Sequence, residues 1–171
     1  MSPATIFQLQ LLLGYVPWLL FVSAYAWPRL KSLQPVDAQR AIATLHSFRF
    51  FGLVFLVPGV VGSDLPGSFA AFAAYGDFAT GLLAMLALLT RTRSVFWPLV
   101  AAFNVVGTID ILVDYYHGIE IGLAGFAGQL GAGYAIPILY VPLLMITHGV
   151  AFYLLLRRRP AAAFADPSGA H

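Results

Sequence analysis

Eight of the nine Lys and Arg residues fall into three clusters: Arg29, Lys31 and Arg40; Arg91 and Arg93; Arg157, Arg158 and Arg159. Apolar segments separate the clusters, and the ninth cation, Arg49, stands apart. Cations in alternate connections, with only acids in the others, are the charge pattern of a chain that crosses a membrane several times. Short loops rich in Lys and Arg resist translocation and stay cytoplasmic.

The composition agrees. Hydrophobic residues make up 60% and charged residues 9% of the 171 residues, with a mean hydropathy of +0.85. An ordinary soluble domain is about 25% charged, and a water-soluble fold of this size could not cover so much apolar surface. A spanning helix needs about 20 apolar residues at 1.5 Å each. Five such stretches are predicted, at 7–27, 41–61, 69–89, 95–115 and 136–156. The expected architecture is therefore an all-α integral membrane protein, one five-helix transmembrane domain over residues 1–159. Its N-terminus is expected outside and its C-terminus in the cytoplasm, as a multi-pass protein of the cell inner (plasma) membrane. Residues 160–171, rich in Ala, Pro, Gly and Ser, are expected to be a disordered cytoplasmic tail, and His171 within it joins no constellation.

The first stretch lacks a cationic leader, and Trp27-Pro28-Arg29 is no small-residue cleavage site, so this helix is expected to be retained. Pro17 within it frees the carbonyl of Leu13, which a neighbouring group must then satisfy. Trp18, Tyr25, Trp27, Trp97, Tyr115 and Tyr116 lie mostly near span ends, as an interfacial aromatic belt does.

Several chemistries are excluded. With no cysteine there is no covalent c-type haem, thiolate zinc site, iron–sulfur cluster or thiol redox centre. Phosphate loops, nucleophile elbows and paired-histidine zinc motifs are missing. The only lysine, Lys31, falls in a connection, so no retinal Schiff base can form inside the bundle. No catalytic residue is identified and an enzyme is not expected. Nothing points to nucleic acid. The expected partners are the lipid bilayer, a small ligand or ion, and either a second copy of the chain or another membrane protein.

The candidate site consists of polar residues inside the spans. The second stretch draws His46 and Arg49 into the membrane on one face, Arg49 about 12 Å above the cytoplasmic end. In the third stretch Ala73, Asp77, Thr80, Gly81 and Ala84 form a stripe of small and polar residues. Asp77 on that stripe is the best-placed partner for Arg49, because an isolated buried carboxylate must take up a proton or find a cation. The fourth stretch carries Asn104 and Asp110, then Asp114 and His117 within roughly 60° of Asp110, with Glu120 beyond. Asp114, His117 and Glu120 are read as an acidic outer mouth; the same i, i+4, i+7 spacing is also that of a divalent-cation site. The fifth stretch brings His148, beside Thr147, to the depth of Arg49, and Pro137 and Pro142 bend it just outside that layer. Glycines at 118, 122, 125, 128, 131 and 133 suit either a short interfacial helix or a flexible outer lid. No repeat relates the two halves, so an inverted-repeat transporter is not expected.

Three functions fit these residues. The first is a carrier or proton-linked pathway for a small ligand or ion. In it Asp110 and Asp77 relay protons, Arg49 is their counter-charge, and His46 and His148 act on the cytoplasmic side, with Asn104 in the same layer. The second is a b-type haem protein with His46 and His148 as axial ligands and Arg49 on a propionate. The third is a non-catalytic membrane subunit or assembly factor whose polar groups only fix helix order. Five spans in about 170 residues with many aromatics are similar in outline to the tryptophan-rich sensory and translocator proteins. Trp18, Trp27 and Trp97 do not reproduce that family's tryptophan pattern, so the resemblance implies no ligand, activity or site residue here.

Overall fold

A computed structural model describes residues 1–90 and 92–157. The expected tail at 160–171, the cations Arg158 and Arg159, and Arg91 lie outside the described residues. Among those described the chain is helical, with no strand beyond an isolated bridge between Pro58 and Val61. The long helices, in chain order, are α1 (Pro3–Ser32), α2 (Pro35–Ser47), α3 (Gly67–Leu89), α4 (Arg93–Glu120) and α5 (Ile136–Leu156). Four of them, α1, α3, α4 and α5, are long and apolar enough to cross a membrane.

The expected second span, 41–61, is not one continuous α-helix. α2 stops at Ser47 and passes into a 3-10 helix, Phe48–Leu56. Pro58 ends the helical run, since its ring disfavours helical geometry at the residue before it, and Val57 is extended at φ −82°, ψ 118°. A turn follows in which Val60 N–H donates to the Val57 carbonyl at 3.1 Å. Proline sits second and Gly59, at φ 80°, third, as a type II turn demands. The 3-10 winding has a consequence for the core. With three residues per turn, Arg49, Gly52 and Phe55 fall in one line, and these three are the buried residues of the segment. On an α-helix Arg49 and Phe55 would point about 120° apart.

Prolines also explain two π-helical turns. Val22–Ala26 ends two residues before Pro28, and Ile136–Tyr140 ends two residues before Pro142. A proline cannot donate to the carbonyl four residues back, and slipping the preceding turn by one residue accommodates the loss. Trp27 N–H then donates to Val22 O, and Val141 N–H to Ile136 O. The distorted start of α5 seats α1: Gly14 leaves room for the Ile138 carbonyl, and Trp18 Nε1 donates to the Leu139 carbonyl at 2.8 Å.

The helix ends sort by charge. At one end Arg40, in α2, donates to the Thr90 carbonyl beyond α3 at 3.0 Å and lies over the ring of Phe96 near the start of α4. Trp27 of α1 packs on Tyr153 of α5, with Lys31 over Trp27 and Arg157 over Tyr153. At the other end Phe55 meets Phe69 at the start of α3. There Gly62 N–H donates to Gln129 O at 2.7 Å, and Gln129 in turn reaches Asp64. Gln129 belongs to a second 3-10 helix, Leu123–Tyr134, kinked at Gly131 (φ 51°), where the Val60 carbonyl occupies the space a side chain would need. Its period of three puts Gly122, Gly125 and Gly128 on an exposed face.

Two apolar cores flank a polar layer. Near the Arg40 end, Ile42, Ala43, Ala84, Ala87, Phe96, Val100, Phe103 and Ala151 pack together. Near the Asp64 end, Phe7, Phe55, Leu65, Phe69, Ala73, Leu123, Leu130 and Ile136 do so. Outward faces carry large exposed apolar side chains such as Leu12, Leu20, Leu82, Ile109 and Leu112. That is the surface lipid requires, and it would be a liability in water.

Candidate functional site

Arg49 is the centre of the polar layer, and only 1% of it is exposed. Its Nε donates to Asp77 Oδ1 on α3 at 2.6 Å, its Nη2 to Asp110 Oδ2 on α4, and its Nη1 to the Gly107 carbonyl at 3.2 Å. One guanidinium thus ties the 3-10 helix to two neighbouring helices. The planar fork suits this, because its donors point in fixed, divergent directions. From sequence Asp77 was the best-placed partner of Arg49; the structure adds Asp110 as a second direct contact of the same guanidinium.

Both histidines join from the cytoplasmic-facing side of the expected topology, and their hydrogen bonds fix their tautomers. Arg49 Nη1 can only donate, so His148 Nε2, 3.3 Å away, accepts. Nδ1 of His148 therefore carries the proton and donates to Asn104 Oδ1 at 2.9 Å, and Asn104 Nδ2 donates to Val100 O at 2.8 Å. Thr147 Oγ1 donates its single proton to the carbonyl of Leu143 or Leu144. It must then accept from His46 Nε2 at 3.0 Å, which leaves His46 Nδ1 a bare, buried acceptor with no partner among the described residues. The two imidazoles stack on each other with centroids 4.1 Å apart.

That stack bears on the haem alternative, which requires the two rings to face one iron from opposite sides of a macrocycle. Rings 4.1 Å apart are in contact, and three of their four nitrogens are already hydrogen-bonded. The residues do not fit a haem held between them. Nor, among the described residues, does any group of three His, Asp or Glu side chains converge as a metal ion would need. In particular His117 packs on the rings of Phe72 and Tyr116.

The expected outer mouth divides. Glu120 is exposed at the end of α4 and His117 is half-buried against aromatics. Asp114 lies deeper than a solvated mouth would place it, and its Oδ1 is buried without a partner. It lines a cavity of about 240 Å³ together with Asp77, Tyr115, Phe7, Phe55 and Phe69. Ile136, Pro137 and Val141 close one wall, so the irregular start of α5 does border a cavity. Exposed Gln8, Ile119 and Gly122 form its rim near the Asp64 end, and Asp77 sits at its inner limit beside the Arg49 pair.

Glycines make these approaches possible. A Cβ on Gly107 would meet Arg49 Nη1, His148 Nε2 and Thr80 Cγ2, each at 2.6 Å. One on Gly52 would meet the Cβ and Cγ of Asp77 at 2.6 and 2.8 Å, and one on Gly76 would meet Asp110 Oδ1. Real Cβ atoms do not come so close. Of the residues named from sequence, His46, Arg49, Asp77, Asn104, Asp110 and His148 come together in one hydrogen-bonded or stacked group, and His117 and Glu120 do not. Sequence reasoning missed the roles of Gly52 and Gly76. It also missed Gln39, which is buried seven residues before His46 on the same face of α2 and donates to the Ala151 carbonyl at 3.0 Å. A helical-wheel projection of α2 carries that last signal.

Neither the curated proteins nor the solved structures contain a match to this chain. A family model does match, over residues 6–156, a range that includes every residue of the polar layer and the cavity. The chain belongs to the family described as a domain of unknown function, DUF8737.

Proposed function

We propose that this protein is a carrier of the inner membrane in which movement of a small ligand or ion is linked to protonation of the Arg49 cluster. The observation that carries this reading is a charge imbalance. Asp77 and Asp110 share a single guanidinium, Asp114 follows one turn after Asp110 on α4, and buried oxygens of Asp110 and Asp114 have no partner among the described residues. Arg49 neutralises one carboxylate. The remaining charge is costly in a low-dielectric interior unless a proton or a cation balances it. In this reading Asp110 and Asp77 are the protonatable pair and Arg49 their fixed counter-charge. His46 and His148 are the proton partners toward the Arg40 end, and Asp114 joins the cluster to the cavity.

The arrangement of the helices supports five crossings within one domain. α2 contributes about 20 Å of α-helix and the following 3-10 helix about 18 Å, together more than the roughly 30 Å of a hydrocarbon core. That stretch runs from the Arg40–Thr90 contact to the Phe55–Phe69 contact, between the two ends of the bundle. Arg29, Lys31, Arg40, Arg93 and Arg157 gather at one end, with Asp37 as the acid there, while Asp64 and Glu120 lie at the other. The cation-rich end is the cytoplasmic one by the bias that keeps Lys and Arg inside, which supports an outer N-terminus, an inner C-terminus and a cavity reached from outside.

Proton flux into vesicles containing the purified protein, followed with an enclosed pH-sensitive dye, tests the linkage. Wild-type vesicles are expected to equilibrate an imposed pH gradient faster than empty ones. Asp110→Asn, which keeps the shape but cannot titrate near neutral pH, is expected to remove that excess while leaving the protein folded. Wild-type vesicles no leakier than empty ones would transfer the weight to a purely structural subunit, in which the cluster only fixes helix order.

A further inference from the structure

The cavity beside Asp77 and Asp114 has its own chemistry, and it identifies a class of ligand. Its walls are almost wholly apolar: Phe7, Leu11, Phe55, Phe69, Ile111 and Val141 surround the space. Among the described residues the charged side chains lining it are two carboxylates and no cation, because Arg49 is turned inward onto Asp77 and Asp110. The Asp77 side chain is only 7% exposed. Its Oδ1 accepts from Arg49, and its carboxylate forms part of the chamber wall. Asp114, also in the lining, has a buried oxygen, Oδ1, without a partner among the described residues. Two carboxylates in the lining of an apolar chamber, one of them with a buried oxygen left unpartnered, call for a donor that bears positive charge and is attached to an apolar body.

We infer that the cavity binds a small apolar amine in its ammonium form, the cation between Asp114 and Asp77 and the apolar body against the phenylalanines. This rests on the reading of the cluster as a ligand-linked site and names the ligand of that site. The volume of about 240 Å³ sets the size. An apolar cavity of about 150 Å³ takes up benzene, so the body here is one aromatic ring, or an aliphatic group of similar bulk, with a short chain to nitrogen. The amine adds the positive charge that the cluster lacks. Binding therefore replaces a proton as the neutralising species, and ligand and proton compete.

Binding to the full chain in phosphatidylcholine nanodiscs, with empty nanodiscs subtracted, tests the class through three probes of similar shape: 2-phenylethylamine, 2-phenylethanol and phenylacetate. The amine is expected to bind about ten-fold or more tighter than the alcohol, as charge-assisted bonds replace neutral ones, and phenylacetate not at all. In Asp114→Asn the preference for amine over alcohol is expected to collapse to within about three-fold. In Asp64→Asn, an exposed acid at the same end, it is expected to persist, which separates a site from a general negative potential. Amine binding no tighter than alcohol, carboxylate binding as tight as amine, or no binding by any probe would overturn the inference, and these wild-type measurements decide it even if Asp114→Asn fails to fold. Proton flux measured on the same preparation separates the two claims. Flux without amine preference removes the ligand class and leaves the carrier reading, and amine preference without flux does the reverse.

Discussion

Replacing Gly107 with alanine adds one methyl group at the most crowded point of the polar layer. The new carbon would lie 2.6 Å from Arg49 Nη1, His148 Nε2 and Thr80 Cγ2, about 1 Å inside ordinary contact distance for each. None of the three can retreat freely. Arg49 is held by Asp77 and Asp110, His148 by Asn104, and Thr80 Oγ1 by its bond to the Gly76 carbonyl. Overpacking of this kind costs about 1–3 kcal/mol, and displacing Nη1 from the Gly107 carbonyl threatens a bond from a charged donor worth about 1.5–3 kcal/mol. Against this, alanine is favoured over glycine in a helix by up to about 1 kcal/mol. The net is a loss of about 1.5–6 kcal/mol, the upper end if the Nη1 bond is lost outright, or roughly 3–24 °C in melting temperature for a chain of this length. Gly149→Ala is the matched control: it lies in helix α5, is exposed, and a Cβ there meets nothing within 4 Å. It should gain up to about 1 kcal/mol, raising the melting temperature by roughly 2–4 °C. Thermal unfolding of both variants in one detergent, followed by intrinsic tryptophan fluorescence, reads the two signs directly. Shifts of the same sign, or a Gly107→Ala protein as stable as wild type, would refute the packing described around Arg49.

Two further outcomes are expected. Arg49→Met alone leaves Asp77 and Asp110 buried beside each other without their cation and should cost about 3–5 kcal/mol. Adding Asp77→Asn and Asp110→Asn should recover most of that loss, and additive losses in melting temperature would show that the three do not form one unit. A reporter fused after Arg157 should read cytoplasmic and one inserted at Gly125 external; the reverse pair would overturn the orientation drawn from the charged ends.

What the sequence alone determined follows from local or one-dimensional physics. Membrane character and the long apolar helices are set by runs of residues and their hydropathy, and α3 (Gly67–Leu89) and α5 (Ile136–Leu156) begin and end within two residues of the predicted stretches. The stripe Ala73, Asp77, Thr80, Gly81 and Ala84 was legible because helical period is a property of the chain. All five are buried, and Gly81 lets α3 come within 3.0 Å of the Phe50 backbone nitrogen by the position a Cβ would take. The end of the second helical stretch was legible too, in Pro58 and Gly59, yet apolar length outweighed them in the prediction of 41–61.

Only the tertiary structure decided how the polar residues meet. Rise per residue placed Arg49, Asp77 and His148 at compatible depths, but depth along an axis does not say which face looks inward, nor that the backbone after Ser47 tightens to three residues per turn. That tightening aligns Arg49 with Gly52 and Phe55 and turns the guanidinium onto two carboxylates instead of one. The same limit explains Asp114 and the histidines. Asp114 looked like part of a solvated mouth because it nears a helix end, and only the packing of α1 and the 3-10 helix Leu123–Tyr134 across that end buries its oxygen. His46 and His148 were open to reading either as proton partners or as axial ligands of one haem, and only the assembled bundle shows their rings stacked 4.1 Å apart. Contacts between helices depend on axis spacing and rotation, which in lipid are set by small residues such as Gly52, Gly76 and Gly107. A glycine in the sequence shows that an approach is allowed there, and only the assembled bundle shows which side chain makes it.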